Sequence, residues 1–336
     1  MIKMTSYERV MKRLKGEPVD KIPNMNIVMA FAAKHVGASF REYATDYRVL
    51  VDSKIACAND FGIDKVSVIS DPMREAYGFG AKVIIPENDV PFCREHLLSD
   101  LDEIKNLKPV DPFQSERMLD RIRAVESFKK QVGGKIPIIG WVEGALAEAA
   151  DLRDISLVMM DLMLEPNKID ELFEIIYLQQ SMFAKAQIDA GADFIGIGNA
   201  AASLVGPDLY REHCLEFDKR IVSDIHKWGA KAKLHICGNT TSILEYIREI
   251  EPDIFDVDHV VSFEKAIDVF KGSKTIANGN FDPVEDMMSA SKDRVIKAVN
   301  NCICLADERT MIAGGCEIPA STPKENMVLM NQLLFS

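Results

Sequence analysis

Residues 232–241 read Ala-Lys-Leu-His-Ile-Cys-Gly-Asn-Thr-Thr. The run 232–236 has the length and apolar content of a buried strand, and it gives way at once to a polar, glycine-containing turn. His235 and Cys237 are two apart, so on a strand they point to the same side. Seven further runs have this form: 24–29, 65–69, 136–142, 193–197, 254–257, 274–278 and 310–314. Helical patterns lie between most of them. Residues 207–228 open with Pro207 and Asp208, repeat Leu215, Ile221 and Ile225 on one face, and stop at Gly229. A second helix starts at Glu165-Pro166 and runs to about residue 190, before Gly191; residues 242–249, 283–288 and 292–302 read likewise. Eight strands alternating with helices predict an α/β chain folded as a (β/α)8 TIM barrel, a single domain over 1–336. A doubly wound sheet is the alternative, but no Gly-rich nucleotide turn follows the first strand, and Gly196 and Gly198 in Gly-Ile-Gly-Asn lack its context. Two additions are expected: an N-terminal helical extension, and an insertion near 78–110 with a hairpin strand at 82–85.

Composition narrows the classes of function. A formal charge of −12 argues against a nucleic-acid partner, which would want a basic face, and against a substrate bearing many carboxylates unless a local cationic pocket receives it. No apolar run reaches the about 18–20 residues of a membrane span, and the N-terminus lacks a signal-peptide core. Seven cysteines without a disulfide spacing point to a reducing cytoplasm.

In a (β/α)8 barrel the chemistry sits at the C-terminal strand ends. Here those ends carry Trp141-Val142-Glu143-Gly144, Gly198-Asn199, His235-Ile236-Cys237-Gly238-Asn239, Asp256-Val257-Asp258-His259, Asn278-Gly279-Asn280-Phe281-Asp282 and Gly314-Gly315-Cys316-Glu317. Polar loops account for part of this pattern. They do not account for two soft metal ligands at one strand end and a third, Cys316, at another. Two thiolates and one imidazole suit Zn2+, and three protein ligands leave the fourth position open, as catalytic zinc sites do. Cys302 and Cys304 end a helical pattern, Cys57 and Cys214 lie within others, and Cys93 lies in the insertion, all positions that suit packing. His35, His96, His213 and His226 fall away from the expected mouth, whereas His259 ends a strand and can reach it.

Zinc held by two thiolates is a modest acid towards water but well suited to binding a thiol, whose proton it displaces while the sulfur stays nucleophilic. Alkyl transfer to sulfur fits that character. Hydrolytic zinc sites favour His and carboxylate ligands, and dehydrogenases with a similar ligand set need a nucleotide domain for which no motif is present.

Leu234-His235-Ile236-Cys237-Gly238-Asn239-Thr240-Thr241 resembles the His-x-Cys-Gly-Asn/Asp-Thr motif of the uroporphyrinogen decarboxylase superfamily, in its corrinoid-dependent methyltransferase branch (methylcobamide:coenzyme M methyltransferase-like). Gly279-Asn280-Phe281-Asp282-Pro283 is similar to that superfamily's Gly-Asn-Leu-Asp-Pro turn, and Gly315-Cys316-Glu317-Ile318-Pro319 with Thr322-Pro323 to the branch's ending. The opening Glu8-Arg9, Gly16-Glu17 and Asp20-Lys21-Ile22-Pro23 is also similar, so the likeness spans nearly the whole chain. It implies zinc on His235, Cys237 and Cys316, and methyl transfer between a corrinoid (methylcobalamin or cob(I)alamin) on a separate partner protein and a small substrate. That substrate is either a thiol acceptor such as coenzyme M or a methyl donor such as a methoxylated aromatic. A homodimer is compatible with the resemblance.

Two departures refine the expectation. The decarboxylases carry an Arg-Gln-Ala-Gly-Arg stretch after the first strand, which cradles porphyrin carboxylates; here Met29-Ala30-Phe31-Ala32-Ala33-Lys34 has no Arg. Decarboxylation is therefore the lesser alternative, and a non-catalytic corrinoid-complex subunit with structural zinc is another. Asn199 stands where many relatives have an acid. The stretch 141–153 is unusual for the thiol-methylating members and sets Glu143, Glu148, Asp151 and Arg153 near the mouth, either as a solvated helix start or as groups that grip substrate or zinc. Glu143, Asp258 and His259 are the candidate catalytic residues; Asn199, Asn239, Asn280 and Arg153 are the candidate substrate-binding ones.

Overall fold

The structure, a computed structural model, describes residues 4–335. In chain order the strands are β1 (Val66–Ser67), β2 (Val83–Ile84), β3 (Phe92–Cys93), β4 (Ile138–Glu143), β5 (Phe194–Gly198), β6 (Lys231–His235), β7 (Ile254–Asp256) and β8 (Ile276–Asn278). Six of them form one parallel sheet in the order β1-β4-β5-β6-β7-β8, while β2 and β3 form the antiparallel hairpin of the insertion. The expected strands at 24–29 and 310–314 are reduced to isolated bridges, Asn24 with Ile312, Asn278 with Met311 and Phe281 with Gly314, and these segments curl the sheet shut. Met25 N donates to Ile312 O (3.1 Å), Met311 N to Ala277 O (3.1 Å) and Asp64 N to Asn24 O (2.8 Å). The ladder is short because Pro23 offers no N–H, and because side chains replace backbone partners. Asn24 N donates to Asp64 Oδ2 and Gly314 N to Asn26 Oδ1.

Helices pack outside the sheet. Pro166–Ala190 begins with its proline in the first turn and ends on Gly191, whose φ of 114° suits glycine. The helix expected over 207–228 is three pieces: Gly206–Leu209, a π turn at Tyr210–Cys214, and Leu215–Lys227. That expected at 283–288 is one π-helical stretch, Val284–Met288, and that at 242–249 is Leu244–Ile250. Among the described residues no helix is long and apolar enough to cross a membrane.

The N-terminal helix Ser6–Leu14 is capped by Thr5 and Glu8, each bonding the other's backbone N–H. It closes the bottom of the barrel. Val10, with Met11 and Leu14 against it, packs on Met25, Ile139, Phe194, Ile254, Ile276 and Met311, an apolar layer inside the strands. Arg9 holds this plug by pairing with the buried carboxylates of Asp20 and Asp64. Above that layer the interior turns polar. Register aligns Glu143, Gly198, His235, Asp256 and Asn278 as successive partners across β4 to β8, one ring at the C-terminal strand ends.

Candidate metal centre

His235 is the last residue of β6, and Cys237 follows two positions on, pointing into the same mouth. Gly238, at φ 86°, turns the chain away, and Asp258 Oδ2 accepts its N–H at 2.7 Å. Cys316 comes from the opposite closing segment. Its approach depends on Gly315, where a Cβ would lie 2.1 Å from the backbone N of His259 and 2.8 Å from the carbonyl carbon of Asp258. Gly315 N also donates to Phe281 O at 2.9 Å, fixing the segment against the turn after β8.

The three donors converge. His235 Nε2 lies 3.2 Å from Cys237 Sγ, and Cys237 Sγ lies 3.7 Å from Cys316 Sγ; all three ligand atoms fall within 4.8 Å of one another. Two sulfurs on one tetrahedral zinc, each at about 2.3 Å, would stand about 3.8 Å apart. The residues present therefore fit a zinc ion, and the donor chemistry fits its softness. The two thiols are free, as are the other five cysteines.

Behind the imidazole stands Asp256, whose Oδ2 lies 3.0 Å from His235 Nδ1 and also pairs with the buried Lys233 ammonium. Asn278 Nδ2 donates to the other oxygen at 2.7 Å. Burial opposes ionisation of Asp256, but Lys233 and His235 outweigh it and hold the carboxyl well below the usual range. Burial likewise opposes charge on His235, yet the hydrogen bond to Asp256 and the nearby Cys316 bring its pKa up to about 9. The two sulfurs lie within hydrogen-bond reach, and either can donate. The contact with Cys237, against burial and with help from His235, lowers Cys316 to about 4, while the same contact raises Cys237.

A cavity of about 200 Å3 opens over these groups, walled by Ile27, Met29, Ile69 and Trp141, with Asp71, Glu143 and Glu317 as its acidic members. Glu143 ends β4 with its carboxylate inside the barrel: Arg74 Nη2 donates to Oε1 at 2.8 Å and Trp141 Nε1 at 3.0 Å. The glycines of β5 make room for this pair. A Cβ on Gly196 would sit 2.2 Å from the Trp141 ring, and one on Gly198 would sit 2.6 Å from Glu143 Oε2. Burial, with the Glu75 carboxylate adding to it against Arg74, pushes Glu143 up to about 8. A larger cavity, about 470 Å3, lies at the opposite end, where Thr275-Ile276 and Thr310 begin their segments. It holds none of the soft ligands and faces the end of the barrel where such enzymes keep no chemistry.

The other residues expected at the site are placed differently. Asn199 turns outward, its Nδ2 donating to Asp218 at 3.0 and 3.2 Å, so it braces a helix and does not face the cavity. Arg153 is buried in an ion pair with Asp161 and donates to the carbonyls of Leu98 and Ser99, tying down the insertion. Asn239 is exposed and caps Thr241 N; Asn280 Nδ2 donates to the carbonyls of Asp258 and Val261. Asp258 spends its oxygens on the N–H groups of Gly238 and Val260. His259 is exposed at the rim, 3.0 Å from Asp258 and 3.4 Å from Asp282, outside the cavity lining. Asp256, Lys233, Trp141 and Glu317 are at the site without having been singled out by the sequence. The available signal was Lys233, a cation mid-strand two residues before His235, which demands a buried counter-charge on a neighbour.

A parallel barrel whose upper rim gathers an imidazole and two thiols defines the class: a (β/α)8 protein with three soft donors, able to hold a metal, at the C-terminal strand ends. The pattern of the family Uroporphyrinogen decarboxylase (URO-D) matches residues 5–334, and the chain belongs to that family. Among its relatives, the methylcobamide:CoM methyltransferase MtbA of Methanosarcina acetivorans is 25% identical over 336 residues, covering 98% of this chain and 97% of the relative. The methylcobamide:CoM methyltransferase MtaA of Methanosarcina barkeri is 26% identical over 351 residues, covering 97% and 96%. A uroporphyrinogen decarboxylase of Prochlorococcus marinus is 24% identical over 297 residues, covering 86% and 84%. A solved methyltransferase from Methanosarcina mazei superposes with a TM-score of 0.89 at 23% identity, covering 98% of each chain, which establishes the shared fold.

Proposed function

We propose that this protein exchanges a methyl group between a corrinoid carried on a partner protein and the sulfur of a small thiol, with zinc held by His235, Cys237 and Cys316. The observation that carries the reading is the convergence of these three soft donors at the barrel mouth, with Asp256 behind the imidazole. The relatives named as methylcobamide:CoM methyltransferases support it over nearly their full length. When bound, zinc with two thiolates and one imidazole would acidify a thiol that joins it and leave the sulfur nucleophilic.

The chain's own residues do the rest. Asp256 fixes the ring so that Nε2 faces the thiols. The apolar walls Ile27, Met29 and Ile69 keep water from the sulfur, and the rigid strand ends hold it where a methyl group presented from the mouth can be attacked in line. The charge of the cavity weighs against porphyrinogen decarboxylation: among the described residues no Lys or Arg lines it, and a polycarboxylate would meet Asp71, Glu143 and Glu317. A structural zinc would take four protein ligands, and three gather here among the described residues. The free cysteines support a reducing compartment, and we place the protein in the cytoplasm.

The test is zinc analysis together with two assays: methylcobalamin with thiols, and cob(I)alamin with methoxylated aromatics. One zinc per chain, lost with activity in Cys316→Ser, and methyl flow from cobalt to thiol are the expected results. Full activity in metal-free protein would overturn the reading. Methyl flow solely from the methoxylated aromatic to cobalt would reverse its direction.

A further inference from the structure

Glu143 faces two cavities. The second, of about 270 Å3, adjoins the metal cavity through the shared residues Pro72, Glu143 and Ala200. Its walls are otherwise apolar, with small side chains at Ala147, Ala150 and Ala201, and its charged groups are Glu143 and Asp151. Glu75 and Glu148 stand buried beside them, so four carboxyl groups crowd against the single guanidinium of Arg74. The nearby Arg117 is already spent on both oxygens of Asp71, and His96 bonds the carbonyl of Asp151, not its carboxylate.

Among the described residues several carboxyl oxygens of this cluster lack partners, and Arg74 keeps Nε and Nη1 without a hydrogen bond. Glu148 is 1% exposed, yet neither of its oxygens has a hydrogen-bond partner, and Asp151 Oδ2 has none either. Glu143 Oε2 makes no hydrogen bond among the described residues, since Arg74 and Trp141 both engage Oε1. Buried polar groups are normally bonded. Burial and mutual repulsion raise Glu148 and Asp151 well above ordinary carboxyls. Arg74 is fully buried and does not line the cavity, so the charged groups this wall presents are Glu143 and Asp151. Protonated, they can give a hydrogen bond to any acceptor; a cation draws them into their ionised form, in which they attract an ammonium and repel an anion.

We propose that this second cavity is the subsite for the tail of the small thiol, and that it selects a tail ending in an ammonium group over one ending in an anion. The assignment rests on reading the metal centre as the place where the sulfur is held. Sulfur at His235, Cys237 and Cys316 would send its tail past Glu143 towards Asp151.

Three thiols of equal length test it: 2-aminoethanethiol, 2-mercaptoethanol and 2-mercaptoethanesulfonate, titrated by calorimetry into the full-length zinc-loaded protein. The amine is expected to bind at least about tenfold tighter than the sulfonate, with the alcohol between. Asp151→Asn should bring the ratio within about twofold. Leu204→Lys, on a cavity-rim side chain that is 67% exposed and so carries little of the fold, should favour the sulfonate. Equal binding of sulfonate and amine, or a ratio unmoved by both substitutions, overturns the proposal. The same thiols offered methylcobalamin separate the two ideas. If none is methylated while the binding order holds, the methyl-transfer reading falls and the charge selection stands. If the sulfonate is methylated best, the charge selection falls and the reading stands.

Discussion

His235 and Asp256 are register partners on adjacent strands, and Nδ1 of one lies 3.0 Å from Oδ2 of the other. The same carboxylate neutralises Lys233, which is fully buried two residues before the histidine. One side chain thus orients the imidazole and also balances the charge of the barrel interior.

Asp256→Asn should weaken zinc binding about ten- to hundredfold, read by competition with a chelator. It should also cost roughly 3–5 kcal/mol of stability, because Lys233 is left buried without a counter-charge. The double variant Lys233→Met/Asp256→Asn separates the effects: urea unfolding should show stability recovered while zinc affinity stays low. Recovery of both would mean that Asp256 has no part in positioning His235.

Gly315→Ala changes no ligand, yet its Cβ would press on backbone atoms of Asp258 and His259, which cannot rotate aside. Cys316 must then retreat from Cys237, and zinc affinity should fall about ten- to hundredfold. Gly314→Ala meets its nearest atom, the end of the Ile318 side chain, at 3.2 Å and should lose far less. Equal zinc affinity in Gly315→Ala and the unchanged protein would count against this packing role.

Much of this was written plainly in the chain. Strands buried on both faces stand out as apolar runs, and the soft donors sit where such runs end, so the three that the fold brings together, His235, Cys237 and Cys316, are legible in the sequence. The closing segments were harder. Residues 24–29 and 310–314 have strand composition, but Pro23 and the side chains of Asn24, Asn26 and Asp64 take over bonds that a ladder would make. The asparagines were misleading for a related reason. A polar residue at a strand end can turn inward to a substrate or outward to brace a neighbour, and Asn199 turns outward because Asp218 is there to receive it. Nor does spacing reveal that Glu75, from the helix Met73–Phe79, accepts the backbone N–H of Glu143.

Gly196→Ala should be costly for a similar reason to Gly315→Ala. The new methyl would meet the ring of Trp141 at 2.2 Å, and overpacking of this kind costs roughly 1–3 kcal/mol in urea unfolding. Because Trp141 Nε1 holds Glu143, methyl transfer should fall further than the lost stability explains. Unchanged stability would show that the indole has room to move.

Asp218 supplies a pH test away from the metal. Burial lifts its carboxyl to about 6 against hydrogen bonds from Tyr210 and Asn199, from an ordinary value of 3.8. The folded protein therefore keeps this proton at pH values where the unfolded chain has lost it. This contribution is present at low pH, declines as pH rises from 3.8 through about 6, and stays lost above that. Asp218→Asn should remove that slope, and it should be more stable than the unchanged protein at pH 7, relative to pH 4, by ~1–3 kcal/mol. Urea midpoints at the two pH values check this, and an unchanged slope would refute it.

The plug made by Ser6–Leu14 and the apolar layer above it leaves the barrel a blind well. A small molecule bound at His235, Cys237 and Cys316 reaches them from the side of the C-terminal strand ends, not through the bottom of the barrel. On the methyl-transfer proposal, a carrier protein docked over this mouth would shut the small molecule in. Turnover would then be a queue: the small molecule enters first and departs after the carrier has lifted away, so excess carrier should slow the reaction by blocking an empty well.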